Sequence, residues 1–315
     1  MNVLLLSPIS PEAMDFIRSN HSLFTQFESS AGIPWDRSQT EVVITRSGPL
    51  LDRSFLEMMP SLRAIIRSGA GIDNIDTEYL ERMSIPLYQI TDHHANAVAE
   101  LAFGLFLDLA RNITHYDRTM REGVWKKGSR LGMEIRGKVM GIVGLGRIGM
   151  RLAELSRGWD MKVLGVVRNF SNEHRDKLRS AGVELVRSLY ELPARADLIA
   201  VTLPLSETTR SLIETEFISQ MKKTALLVNV GRGATIDNDA LFDALLKKNI
   251  SGAALDVHNN EGFQSRFSKL ENVILTPHIG SSTIETQILI GREVIKRLTS
   301  IERDLKNKNS PGVKI

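Results

Sequence analysis

Short apolar runs alternate with amphipathic stretches along almost the whole chain, a pattern that predicts α/β architecture. In the first hundred residues the strand candidates are residues 3–6 (VLLL), 42–45 (VVIT), 64–67 (AIIR) and 87–90 (LYQI). Helical stretches such as 52–59 and 77–83 lie between them. A longer helix is predicted over 96–115, where Leu101, Leu105, Leu109 and Ile113 recur every fourth position on one face. A second series of strands follows at 139–143, 162–167, 198–203, 225–230, 253–257 and 273–276. Helices starting near Ile148, Glu173, Glu214 and Asn238 separate most of them. Repeated βαβ units imply a parallel sheet with helices on both faces. The chain closes with an amphipathic helix over 284–305, and residues 307–315 read as a loose tail. No repeat of fixed period is visible, and the change of strand series places a domain break near residue 97.

A length of 315 residues is enough for about two domains of roughly 150 residues each. Hydrophobic residues make up 42% and charged residues 24%, the composition of an ordinary globular protein. The net charge is only +3, with both signs interspersed, so nucleic acid is not an expected partner despite a pI near 9.1. The most basic stretch, 303–308, is broken by Asp304. There is no cysteine, hence no disulfide or thiolate chemistry. The opening MNVLLLSPIS lacks a positive leader and reads as a first strand, not a signal peptide. The longest apolar stretch, 101–110, contains Asp108 and falls far short of a membrane span. A soluble, cytoplasmic protein is expected.

Within "GIVGLGRIGMRLAELSRGWDMKVLGVVRN" (141–169), Gly144, Gly146 and Gly149 follow an apolar strand and open a helix. That is the context in which a GxGxxG turn binds a dinucleotide. The first glycine makes the tight turn, the second lets the backbone approach the pyrophosphate, and the third lets helix and strand pack. The helix N-terminus then presents unpaired N–H groups to the phosphates. An acid for the adenosine ribose hydroxyls is expected about 20 residues on. Val167 and Arg168 stand there instead. A valine accepts nothing from a 2′-OH, whereas a guanidinium suits a 2′-phosphate. Arg175 and Lys177 could add positive charge if their helix packs nearby. NADP is therefore expected in preference to NAD, the other reading of Arg168 being a solvated or adenine-stacking side chain.

Three polar residues follow strands of the second series: Arg232 in "VNVGRGATID", Glu261 in "ALDVHNNEGF" and His278 in "ILTPHIGSS". The carboxyl ends of an open parallel sheet form its ligand crevice. Together the three make a complete set for carbonyl reduction. The arginine can clamp a carboxylate, the histidine can give a proton to the carbonyl oxygen, and the glutamate can hold the imidazolium so that the acid is present near neutral pH. Taken singly, each also reads as an ordinary loop residue.

The stretches "RSGAGIDNID" (67–76), "NAVAELAFGLFLDLAR" (96–111), "GKVMGIVGLGRIG" (137–149), "VTLPLSETTRSLI" (201–213), "VNVGRGATIDNDAL" (228–241), "AALDV" (253–257) and "ILTPHIG" (274–280) resemble, in order and spacing, the D-isomer-specific 2-hydroxyacid dehydrogenase family. The resemblance covers nearly the whole chain and implies that Arg232, Glu261 and His278 are catalytic. It implies two Rossmann-like, doubly wound parallel-sheet domains. The cofactor domain, 98–283, would be inserted in a discontinuous substrate domain made of 1–97 and 284–315, with the active site in the cleft between them. It also implies a homodimer formed through the cofactor domain, with the helix after residue 96 in the exchange. By the same match, backbone N–H groups around Ser68, Gly69, Ala70 and Gly71 would hold the substrate carboxylate, the glycines permitting close approach. Val98, assigned with that loop, would pack near the nicotinamide. Arg147 and Ile148 would lie at the pyrophosphate, Leu203 and Pro204 would flank the adenosine, the Val230 carbonyl and Asp256 would bond the carboxamide, and Gly280 completes the cofactor set.

The chain departs from the family pattern in one loop. Where members commonly read Asp-Val-Phe-Glu-x-Glu-Pro, it has Asp256-Val257-His258-Asn259-Asn260-Glu261-Gly262. A looser loop could misplace Glu261, and an error of about 1 Å can cost roughly 10²-fold in rate. His258, His93 and His94 lack the spacing of a metal site, and hydride transfer needs no metal, so none is expected. The expected substrate is a small 2-keto or 2-hydroxy acid, as in glyoxylate and hydroxypyruvate reductases. Arg67 resembles the position that reads phosphate in 3-phosphoglycerate dehydrogenases, which makes such a substrate the alternative. A nucleotide-sensing corepressor is the alternative of another class, and the intact trio argues against it.

Overall fold

The computed structural model describes residues 1–25, 36–46, 49–69, 71–167, 171–262 and 264–309. The chain divides into two units, Met1–His94 with Ser282–Ile315, and Ala95–Ser281. They fall within three residues of the divisions expected from the sequence, 97/98 and 283/284.

The first unit runs β1 (Asn2–Leu5), α1 (Pro11–Asn20), β2 (Ser22–Thr25), β3 (Val42–Thr45), α2 (Arg53–Glu57), β4 (Ala64–Arg67), α3 (Thr77–Arg82) and β5 (Leu87–Gln89). Its sheet is parallel throughout, in the order β2-β1-β3-β4-β5. β1, β3 and β4 are apolar and buried because a central strand of a parallel sheet is covered on both faces. β2 was not anticipated: SLFT lies at the sheet edge, has a partly exposed pattern, and lacks the continuous apolar signal of an inner strand.

The second unit contains α4 (Ala95–Arg111), α5 (Ile113–Arg121), β6 (Val139–Val143), α6 (Arg147–Gly158), β7 (Lys162–Val166), α7 (Asn172–Ser180), β8 (Val183–Leu185), α8 (Glu191–Arg195), β9 (Leu198–Val201), α9 (Thr215–Ser219), β10 (Leu226–Asn229), α10 (Asn238–Leu246), β11 (Gly252–Leu255) and β12 (Val273–Leu275). The seven-stranded order β12-β11-β10-β9-β6-β7-β8 is that of a doubly wound sheet, with its switch point between β6 and β9. The closing helix α11 (Ile284–Asn309) belongs to the first unit and packs on α1, its Ile290, Val294, Leu298 and Ile301 in the core with Ala13 and Ile17. It extends past the start of the predicted tail, helix growth continuing through polar residues 307–309.

The predicted helix 96–115 is two helices. Asn112 has φ 55, a left-handed conformation that breaks α4 from α5, and the Asp108 carboxylate takes up the Thr114 amide at the start of α5. The buried face of α4 also differs from the expected row. Ala99, Ala102 and Phe106 are fully buried against β6 and β10 residues such as Met140, Ile142 and Val228. Of the expected row, Leu105 is buried in the same core, Leu101 and Leu109 pack against it partly buried, and Ile113 is 54% exposed. No described helix is long and apolar enough to cross a membrane.

Candidate active site

β10, β11 and β12 are adjacent parallel strands paired in register, Asn229 with Leu255 and Leu255 with Leu275. Strand spacing of about 4.8 Å therefore brings the residues that follow them close together at one sheet edge. Arg232, Glu261 and His278 leave these three strands in that order. The ladder continues past the strand ends: Asp256 N–H donates to the Asn229 carbonyl (3.0 Å) and His278 N–H to the Asp256 carbonyl (2.8 Å).

His278 has φ 54, a left-handed backbone that costs a non-glycine residue about 1–3 kcal/mol. Asp256, only 1% exposed, holds this turn. Its Oδ1 accepts from Thr276 Oγ1 (2.6 Å) and Ile279 N–H (2.8 Å), and its Oδ2 accepts from Gly280 N–H (2.9 Å). A Cβ on Gly280 would stand 3.1 Å from Asp256 Oδ2 and 3.2 Å from Val98, so Val98, Asp256 and Gly280 share one spot. These side-chain bonds run to the turn after β12, which gives Asp256 an orienting role that the sequence did not reveal.

His278 Nδ1 lies 2.8 Å from Glu261 Oε1. A carboxylate only accepts, so Nδ1 carries the proton of that bond, and Nε2 is the ring nitrogen available for proton transfer. The hydrogen bond from His278, together with the positive charges of His278, Arg232 and His258, holds the Glu261 carboxyl below its usual range, against an opposing effect of partial burial. Arg232 itself donates from Nη1 to the Gly231 carbonyl (2.8 Å). Its loop is shaped by Asn229, a buried residue at the end of an apolar strand, whose Nδ2 donates to the Arg232 carbonyl (3.0 Å) and whose Oδ1 accepts from Gly231 N–H (3.0 Å). Asn229 and Thr276 were not anticipated. A polar residue ending an otherwise apolar strand was the signal for both.

The glycine turn follows β6 at the switch point. Gly144 has φ 106, and a Cβ there would meet Thr202 Oγ1 at 2.9 Å and Leu203 Cδ2 at 3.0 Å. Gly149 would place a Cβ 2.1 Å from the Gly144 carbonyl oxygen. A Cβ on Gly146 would meet nothing within 4 Å, and Gly146 gives α6 no side-chain cap. Open space before uncapped helix amides fits a pyrophosphate. Arg147 is exposed and Ile148 half-buried at this N-terminus. Leu203 is half-buried beside Gly144, Pro204 is exposed, and Val230 is buried with its N–H on the Val201 carbonyl. Arg168 lies outside the described residues, and Lys177 pairs with Glu173.

In the first unit, the loop after β4 bears on two expectations. Ser68 N–H already donates to the Thr45 carbonyl (2.7 Å), so this amide is committed to the sheet and is not a carboxylate donor. Arg67 is 6% exposed and its Nε donates to the Gly71 carbonyl (2.7 Å), which braces the loop. Gly69 is half-buried, and Ala70 lies outside the described residues. His94 Nε2 lies 3.4 Å from the Ser68 carbonyl, and burial pushes its imidazole below the usual range.

A doubly wound sheet with a glycine turn at its switch point, and an Arg–Glu–His set at its edge, is the arrangement of a nucleotide-dependent oxidoreductase. The profile described as D-isomer specific 2-hydroxyacid dehydrogenase, NAD binding domain, matches residues 103–280. The chain belongs to that family. A D-3-phosphoglycerate dehydrogenase of Methanocaldococcus jannaschii is 38% identical over 264 residues, 84% of this chain and 50% of the relative. A glyoxylate reductase of Pyrococcus horikoshii is 34% identical over 273 residues, 84% of this chain and 80% of the relative. The chain thus spans about half the length of the first relative and four-fifths of the second. The crystal structure of a D-lactate dehydrogenase from Aquifex aeolicus, complexed with NAD and lactic acid, superposes with a TM-score of 0.83 at 27% identity, covering 97% of both chains.

The depressed Glu261 carboxyl gives a signed pH dependence. A carboxyl with a lowered folded pKa adds stability above its unfolded pKa, and that stability is lost as pH falls through the folded value. Glu261→Gln should therefore flatten the decline of urea midpoint with acid between about pH 5 and pH 3. Because Glu261 is 45% exposed, the change should be small. Identical acid profiles for both proteins would show that the pair adds nothing.

Proposed function

We propose that the chain reduces the carbonyl of a small 2-keto acid to the D-2-hydroxy acid, as in glyoxylate and hydroxypyruvate reductases. The observation that carries this reading is the Glu261–His278 hydrogen bond at 2.8 Å, with Arg232 following the adjacent strand β10. Bound reduced nicotinamide supplies the hydride to the carbonyl carbon. The chain's own groups do the rest. Arg232 pairs with the substrate carboxylate and fixes the carbonyl. His278 Nε2–H passes its proton to the carbonyl oxygen as the carbon–hydrogen bond forms, so the product is a neutral hydroxyl. Glu261 fixes the ring and balances the imidazolium before transfer. The turn Gly69–Gly71 is assigned to the carboxylate as well.

The preferred cofactor is NADP. Val167 replaces the acid that would bond a 2′-OH, and Arg168 follows it. The functional unit is a homodimer. A concavity of about 1270 Å³ is lined by Leu105, Leu109, Leu246 and Leu275, while the irregular segment after α5 exposes Trp125 (77%) and Leu131 (92%). Charged residues such as Arg118, Lys126, Arg130 and Glu271 line the same concavity, and the large apolar side chains exposed beside it suit burial against a second copy.

Reduced-nicotinamide absorbance, followed with NADH and NADPH against a panel of 2-keto acids, tests the reaction. His278→Ala should lower kcat by roughly 10²–10⁴ and leave cofactor affinity little changed; near-normal turnover would remove His278 from the mechanism. Arg168→Ala should raise the KM for NADPH by roughly 10–100-fold and spare NADH. An equal response to both cofactors would exclude 2′-phosphate recognition. Leu131→Asp should shift a dimer toward monomer in sedimentation velocity, and a wild-type monomer would refute the assembly.

A further inference from the structure

The Glu261 loop has little to hold it. After buried Val257, residues 258–262 have no helix or strand, and Asn259, Asn260, Glu261 and Gly262 are exposed. A glutamate on such a loop can orient an imidazole only if something else orients the loop. Among the described contacts, one further side-chain bond ties it to the segment that carries His278: His258 Nε2 lies 3.0 Å from the Thr276 carbonyl oxygen. A carbonyl only accepts, so His258 holds its proton on Nε2 and donates it there.

The same Thr276 oxygen accepts from His278 N–H, also at 3.0 Å. One carbonyl, with its two lone pairs, therefore joins the His258 side chain to the backbone of the proposed acid. That backbone is the left-handed turn at φ 54, which relaxes unless its bonds are kept. The His258 main chain is seated as well. A Cβ on Gly233 would stand 2.3 Å from the His258 carbonyl carbon and 2.6 Å from Asn259 N, so the Arg232 loop closes against this residue with no room for a side chain. His258 thus touches all three segments of the site: the Arg232 loop through its backbone, the His278 turn through its ring, and Glu261 through its own loop. Its charge also contributes to lowering the Glu261 carboxyl.

We propose that His258 is a positioning residue, its Nε2–H acting through the Thr276 carbonyl to set the orientation of the Glu261–His278 pair. This rests on the reading of His278 as the proton donor. Phenylalanine fills the ring volume without a donor, and glutamine keeps a side-chain N–H, so the pair of variants separates the bond from the packing. His258→Phe should lower kcat about 10-fold, with the KM of the keto acid and the cofactor Kd from fluorescence titration within about 2-fold of wild type. His258→Gln should recover kcat to within about 3-fold of wild type. Proton–nitrogen correlation spectra of the histidine rings supply a readout independent of turnover: His258→Phe should shift or broaden the His278 Nδ1 proton, and His258→Gln should restore it. Full activity in the phenylalanine variant would overturn the proposal. So would equal losses in both variants, or unaltered His278 ring signals. A wild-type chain that reduces no 2-keto acid would instead sink the assigned reaction, while the ring spectra would still decide whether His258 orients His278.

Discussion

Asp256 places a carboxylate where almost no water reaches it, and a group of that kind persists only when its oxygens are hydrogen-bonded. It finds its donors in the turn after β12, in Thr276, Ile279 and Gly280. Satisfying Asp256 and forcing His278 into a left-handed backbone are therefore one event. The energy that burial of the carboxylate demands is met by the bonds that bend the chain, and the imidazole is delivered toward Glu261 as a result. Asn229 repeats the device one strand away, using both ends of its amide to shape the Arg232 loop. Polar residues at the ends of apolar strands thus convert a regular sheet into an irregular, fixed edge.

The sheets themselves follow from simpler forces. Continuous apolar runs such as LIAV and LLVN can be buried only on both faces, so they become inner parallel strands with helices above and below. That is why most strands of the second unit were legible in the sequence, and why the edge strands Ser22–Thr25 and Val183–Leu185 were not. An edge strand needs only one apolar face and carries a weaker pattern. Leu101, Leu105 and Leu109 do pack in or against the core, as their helical spacing implies, but the row does not run on to Ile113, which is 54% exposed. Asn112, one of the few residue types that tolerate a left-handed backbone, was the available sign that the helix breaks.

The site was legible in its chemistry more than in its wiring. Arg232, Glu261 and His278 could be named because the residue types suit carbonyl reduction and each follows a strand. Which of their neighbours hold them could not be, since a hydrogen bond between residues 258 and 276 leaves no mark on either local sequence. Ser68 and Arg67 show the opposite limit. Their positions beside a glycine-rich turn suggested ligand contacts, and the fold uses the Ser68 amide in the sheet and the Arg67 guanidinium on the turn itself. Sequence position does not show which groups of that loop the fold has already taken for itself.

Two glycines flank Arg232, and neither leaves slack. A Cβ on Gly231 would stand 2.4 Å from the Leu203 carbonyl oxygen, while Gly233 abuts the peptide between His258 and Asn259. The arginine is thereby wedged between the exit of β9, which leads to the nucleotide side, and the loop that bears the glutamate. An alanine at either glycine would have to shift one of these flanks, and with it the main chain that carries the arginine.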